Sequence, residues 1–201
     1  MGATDLPGGA ARRDDMGVAH AADGRAALAP DPRARSEHAL VQAAQGGDPG
    51  AVEELYRRHW GQAYRAAYLV ARDAHAAEDI AQEAFLQAIR VLDRFDRARP
   101  FAPWLHRIVT NRALDWARAH ALRRPAEPTR EPVAPEARSD LSDDLAEAIG
   151  RLAPDQRAVV VLRYLLEHTP GEIAAMLDLP RGTVNSRLRR ALDELAAAVG
   201  T

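Results

Sequence analysis

Cysteine is absent from the 201 residues, which removes disulfides, thiolate metal sites and cysteine nucleophiles together and fits a reducing cytosol. Lysine is absent too, so arginine supplies all 27 basic side chains. No apolar run approaches the roughly 18 residues needed to span a bilayer. Arg12 and Arg13 are not followed by the apolar stretch of a secretion signal,. These absences lead us to expect a cytoplasmic chain without membrane insertion. An excess of positive charge is missing as well: the formal net charge is −2. Proteins that hold DNA unaided draw much of their affinity from neutralised phosphates. Any nucleic-acid surface here must therefore be a local basic patch, weak alone or completed by a partner. The seven histidines are scattered, without metal-ligand spacing such as His-Glu-x-x-His,. We expect no metal, no cofactor and no catalytic activity.

What is present is alanine, the best helix former, in a chain with only 5% aromatics. The composition implies an all-α fold. Residues 1–35, rich in Gly, Ala, Pro, Asp and Arg without apolar periodicity, read as a disordered leader. Ser36 then caps a helix carrying Leu40 and Val41, and Gly46-Gly47 ends it. Asp48-Pro49 opens a second helix with Val52, Leu55, Tyr56, His59, Ala63, Ala66 and Ala67 at helical spacing. A third begins near Asp73, with Ile80, Ala84, Leu86 (or Phe85), Ala88, Val91 and Leu92 as candidate core. A fourth runs from about Phe101 to Ala119 with Leu105, Ile108, Val109 and Leu114 inside. Residues 36–119 thus make one small helical bundle. Pro125, Pro128, Pro132 and Pro135 break any periodicity across 120–139, which reads as a flexible linker.

A second small domain, 140–199, carries Leu141, Leu145, Ala148, Ile149 and Leu152 on one helix. Pro154 opens another with Val159, Val160, Leu162 and Leu165. Thr169-Pro170-Gly171-Glu172 is a capping box with proline at the first helical position. The short helix it starts breaks at Asp178-Leu179-Pro180, and a longer one runs from about Arg181 to Ala198. Short helix, tight turn and longer helix make a helix-turn-helix. On the longer helix Val184, Leu188, Leu192 and Leu195 share one arc, with Ala191 beside it. Ser186, Arg189, Arg190 and Asp193 take the opposite arc, flanked by Thr183 and Asn185. Arg181, Arg187, Arg189 and Arg190 put four positive charges in ten residues with no acid among them. That suits a recognition helix in a major groove better than an ordinary solvated face.

The first domain holds Ala77-Glu78-Asp79-Ile80-Ala81-Gln82-Glu83-Ala84-Phe85-Leu86. Further on come Phe101-Ala102-Pro103-Trp104-Leu105-His106-Arg107-Ile108-Val109-Thr110-Asn111, then Asp115 and Arg118. These blocks resemble region two of the extracytoplasmic-function sigma factors. Region four of the same family is resembled by Leu152 to Arg157, by Glu172 to Ala174 and by Gly182 to Ala191. The likeness runs from about residue 37 to residue 198.

The resemblance implies a subunit that binds core RNA polymerase and directs initiation at specific promoters, with the chemistry left to the polymerase. The third helix would dock on the clamp helices of the largest subunit through Asp79, Gln82, Glu83 and Phe85, and region four would meet the flap. The start-proximal, minus-ten element would be read and melted by Trp104, Arg107, Asn111, Arg112, Asp115, Arg118, Arg123 and Arg124. Trp104 reads equally as an unstacking wedge or as core. The upstream, minus-thirty-five element would be bound by Arg181, Thr183, Asn185, Ser186, Arg189 and Arg190. The linker would thread toward the polymerase cleft, and an anti-sigma factor would be a further partner.

Two departures stand out: Asn185 replaces a common Lys or Arg, and Asp178 a common Gly, although Asp tolerates the left-handed turn. The leader has no assigned role, and no further domain is expected after region four. Two other functions compete, an autonomous repressor and an interaction protein that has lost promoter contact. The first domain argues against the former, the intact arginine face against the latter.

Overall fold

Four helices in this chain begin where a short oxygen-bearing side chain accepts the orphan amides of a first turn,. Ser36 Oγ accepts from the Ala39 amide at 3.2 Å and opens α1 (Glu37–Gln45). Asp48 accepts from Gly50 at 2.9 Å, with Pro49 as the first residue of α2 (Pro49–Ala71). Asp73 accepts from Ala76 at 2.8 Å and starts α3 (Ala74–Arg90). All three caps lie where the sequence places them. A single 3-10 turn, Leu92–Arg94, follows α3, and α4 spans Phe101–Ala121. Gly47 closes α1 at φ 87°, in the left-handed region that glycine enters without steric cost.

The computed structural model describes residues 36–121 and 143–199. The expected disordered leader, nearly all of the expected linker, Leu141, Arg123 and Arg124 lie outside the described residues. The remaining helices are α5 (Asp143–Arg151), α6 (Pro154–Val160), α7 (Pro170–Leu177) and α8 (Arg181–Val199). Among the described residues every regular element is helical, and no helix is long and apolar enough to cross a membrane.

In the first set, α2 is the central rod against which α1, α3 and α4 pack. Its buried face is rich in alanine (Ala63, Ala66, Ala67), as is that of α3 (Ala77, Ala81, Ala84, Ala88), which packs on it. These small side chains let the two backbones approach closely, while Leu105 and Val109 of α4 fill the remaining space,. Gln45 ties α1 to the far end of α3, its amide donating to the Leu92 and Phe95 carbonyls at 2.8 and 2.9 Å.

In the second set, α6 packs on α8; Val159 of α6 and Val184, Leu188 and Ala191 of α8 are buried, as are Val161 and Leu162 just after α6. After Val160 the helix widens into a π turn, Val161–Leu165, closed by the Leu166 amide donating to the Val161 carbonyl at 3.0 Å. Such turns commonly mark functional or strained positions. Here the turn re-aims the chain so that His168 enters the interior, its amide donating to Leu162 at 2.9 Å.

The two helical sets are not held apart. The described residues 36–121 and 143–199 belong to a single compact unit in which α2 packs against α5 and α6, and α4 against α6 and α7. Arg72 is part of the reason. It ends α2 in the left-handed conformation (φ 65°) and sends its guanidinium to the Ala146 carbonyl at 3.0 Å. It also passes over Gly150, where a Cβ would stand 2.7–2.8 Å from the guanidinium and would force it to shift.

Four expected core positions are surface instead: Tyr56, Leu86, Val91 and Leu192 are exposed. Leu192 is turned about 80° from Val184 at about 100° per residue, which puts it at the rim of the apolar arc. Leu86 points away from α2, and Phe85 takes the inward position.

Candidate nucleic-acid and partner interfaces

The reading helix α8 is set by the turn before it. Thr169 Oγ1 accepts from the Glu172 amide at 3.3 Å, and Glu172 Oε2 accepts from the Thr169 amide at 2.8 Å. Those Thr169 bonds, the backbone one foremost, hold the Glu172 carboxyl below its usual range,. Asp178 ends α7 in the left-handed conformation (φ 52°, ψ 51°), as its tolerance of that region predicts,. The Leu179 amide then donates back to Ala174 at 2.9 Å.

Val184, Leu188 and Ala191 of α8 are buried, and Leu195 is half-buried. Arg181, Asn185, Ser186, Arg189 and Arg190 are exposed and Thr183 is half-buried. The Ser186 hydroxyl donates to the Thr183 carbonyl at 2.9 Å, so its lone pairs face outward as acceptors,. Arg187 stands apart from this face. Its Nη1 is buried and lies 3.1 Å from Asp155 Oδ1.

The candidate residues of α4 are differently placed. Arg107 and Asp115 are exposed. Trp104 is half-buried, its ring 4.6 Å from Phe95 and 5.7 Å from Phe101 by centroids. The indole is thus packed on one side and open on the other, a geometry that serves both of its readings. Asn111 donates through Nδ2 to the Met176 carbonyl of α7 at 3.1 Å. Arg112 pairs with Glu83 and donates to Gln87 at 3.1 Å. Arg118 donates to Asp155 Oδ1 at 2.5 Å and lies 3.9 Å from Asp115. Asp155, at the start of α6, thus holds a cation from each half of the molecule on one oxygen.

On α3, Asp79, Gln82 and Glu83 are exposed. Phe85 is not part of that surface. It is 3% exposed, with its ring 4.9 Å from Tyr56 and 6.2 Å from Trp60. The expectation that it touches a partner is corrected: it faces α2 and holds the helix from behind. The apolar groups that do reach the surface beside Asp79 and Gln82 are Leu86, 53% exposed, and Ile89. Helical phasing contained that signal, since Leu86 lies within about 20° of Asp79 at about 100° per residue.

About three turns before Arg118 on α4, the two halves share a buried histidine pair,. His106 Nδ1 lies 3.0 Å from His168 Nε2, and His106 Nε2 lies 3.2 Å from Gln62 Oε1. The Gln62 oxygen can only accept, so His106 carries its proton on Nε2 and its Nδ1 accepts from His168 Nε2–H. Burial, then His168 and His59, pushes His106 down to about 3. Burial also lowers His168, partly opposed by Glu172. Both rings are neutral at neutral pH. Neither this pair nor Asp155 was a candidate on sequence, because each is assembled from residues far apart in the chain.

Known families match both halves. The Sigma-70 region 2 family matches residues 55–123, and the Sigma-70, region 4 family matches residues 142–195. The chain is similar to the ECF RNA polymerase sigma factor SigM of Mycobacterium tuberculosis, 37% identical across 83% of this chain and 86% of that one. It is also similar to the ECF RNA polymerase sigma factor SigW of Bacillus subtilis, 31% identical across 77% of this chain and 92% of that one. Among solved structures it resembles CnrH in complex with the cytosolic domain of CnrY. The TM-score is 0.61 at 29% identity, covering 82% of this chain and 97% of that one.

Proposed function

The chain belongs to the extracytoplasmic-function sigma factors of RNA polymerase, and from that premise we propose how its surfaces divide the work of promoter-directed initiation. The exposed face of α3, with Asp79, Gln82 and Glu83 rimmed by Leu86 and Ile89, docks on the polymerase clamp. Its carboxylates suit an arginine-rich partner helix, and its apolar rim supplies burial. The face of α4 with Trp104, Arg107, Asn111, Arg112, Asp115 and Arg118 reads the minus-ten element. The aromatic stacks an unstacked base, the amide and carboxylate read its edge, and the guanidiniums hold phosphates. The outer face of α8 enters the major groove at the minus-thirty-five element.

The observation that carries this reading is the division of α8. Val184, Leu188 and Ala191 are buried on one side while Arg181, Asn185, Ser186, Arg189 and Arg190 stand exposed on the other, behind an intact capping box and left-handed turn. The chain acts as a cytoplasmic, non-enzymatic subunit whose polymerase supplies the chemistry. Its relative CnrH is solved in complex with the cytosolic domain of CnrY, which supports a regulatory protein, an anti-sigma factor, as a further partner. A gel shift on promoter DNA with and without core polymerase tests the reading. The net charge of −2 predicts weak binding by the chain alone and tight, sequence-specific binding by the assembly. Nanomolar specific binding by the isolated chain would support a repressor instead.

A further inference from the structure

We propose that Glu37 is a positioning residue for promoter opening: from α1 it caps the first turn of α4 and so fixes the angle at which Trp104 meets the strand. The inference rests on the assignment of Trp104 to the minus-ten element.

The helix α4 cannot cap itself. The residue before it is Pro100, whose side chain carries no acceptor, and its first turn holds no acid,. The missing acceptor comes from 64 positions away, where Glu37 Oε1 accepts from the Phe101 amide at 2.9 Å. A carboxylate at that end of a 21-residue helix also meets the positive pole of its dipole,. The other oxygen, Oε2, lies 3.1 Å from His59 Nε2 of α2. His59 is itself buried, with its ring 5.3 Å from that of Phe101. One side chain thus fixes the start of α4 against the central rod of the bundle. Trp104 stands three residues on, its ring resting on Phe101 and Phe95 at 5.7 and 4.6 Å. Both supports are tied to α1. Besides the Glu37 bond to Phe101, Gln45 donates to the Phe95 carbonyl at 2.9 Å, and His38 Nδ1 lies 3.2 Å from the Arg97 carbonyl. An unstacking wedge works by its angle and depth, so a first turn left to fray would blunt it while the rest of α4 stayed in place.

The test reconstitutes core polymerase with the full chain and follows opening on two templates. One is an intact promoter duplex, the other the same promoter with its minus-ten element already unpaired. Glu37→Ala is expected to slow opening of the duplex by about threefold to tenfold and to leave initiation on the unpaired template at the unaltered rate. Glu37→Gln keeps an oxygen for the Phe101 amide and is expected to restore opening. Should Glu37→Ala fail to fold by circular dichroism, Glu37→Asp, one methylene short of Phe101, takes its place and is expected to slow the duplex alone. Asp48→Ala removes the cap of α2, a loss of the same kind elsewhere in the bundle, and is expected to open the duplex normally. An equal loss on both templates, a loss in Asp48→Ala as large as in Glu37→Ala, or no rescue by Glu37→Gln would overturn the positioning role. Trp104→Ala separates this role from the reading beneath it. If that variant opens the duplex at the unaltered rate, the reading of α4 falls. A slow Trp104→Ala beside an unaltered Glu37→Ala removes only the role of Glu37.

Discussion

The two helices assigned to DNA differ in how much of their reading surface is already in use. On α8 the outer arginines Arg189 and Arg190 stand exposed with Asn185 between them and the turn. On α4, Asn111, Arg112 and Arg118 each hold a partner elsewhere in the molecule: Met176, Glu83 and Asp155. One surface is displayed and the other is engaged. The difference follows from position: α8 turns one face to α5, α6 and α7 and leaves the other open, whereas α4 lies in the seam between the halves.

The largest effects should come from the surfaces that define each half. Reversing Asp79 and Glu83 to Arg puts like charge against a basic partner and should abolish co-purification with core polymerase while helical content stays unchanged. Normal affinity in that variant would remove α3 from the docking surface. Leu188→Ala truncates a side chain buried between α8 and α6 and should destabilise the second half by about 2–5 kcal/mol in urea titration. Promoter preference should be unaltered in the molecules that remain folded. A changed preference would mean that the apolar face of α8 takes part in reading.

Smaller is the cap that sets the angle of α7. Thr169→Ala removes the acceptor for the Glu172 amide and should cost about 0.5–2 kcal/mol. A measured cost near zero would show that the turn is held by Pro170 and the Asp178 conformation alone. A change of pH should act on the seam rather than on α8. His106 is held at about 3 and His168 below its usual value, both chiefly by burial. The groups facing them are Gln62, His59 and Glu172, with the Arg163 guanidinium donating to the His168 carbonyl at 3.3 Å. A depressed histidine contributes stability that is fully present above about 6.5 and is lost as pH falls from there toward about 3, because only the separated or unfolded form takes up the protons. Stability measured by urea titration should therefore decline below pH 6.5, and His106→Gln, which cannot titrate, should flatten that decline,. An identical decline in His106→Gln would assign it to other groups.

The same contrast explains what could be read in advance. The caps at Ser36, Asp48, Asp73 and Thr169 and the left-handed turn at Asp178 are local, decided within four or five residues, and all five were legible. So was the two-faced pattern of α8, since a helix buried along one side only keeps a simple period. Phe85 and Leu86 were ambiguous because adjacent apolar residues leave the phase of α3 open to either, and only packing against Tyr56 and Trp60 decides for Phe85. Leu192 was misplaced because it stands at the rim of the arc that buries Val184, Leu188 and Ala191. The seam was not legible at all. Arg118 meets a residue 37 positions away and His106 one 62 positions away, and no periodicity within either half encodes a contact between them.

The assignment of α8 as the reader of the upstream element is the central claim, and one measurement tests it most directly: transcription from a promoter library randomised over that element, using polymerase reconstituted with Arg189→Ala, Arg190→Ala and the unaltered chain. If Arg190 grips a guanine edge, its loss should cost about 1–3 kcal/mol and relax preference at one position; if it meets phosphate, activity should weaken evenly across sequences. Full activity with unchanged preference in both variants would contradict the account.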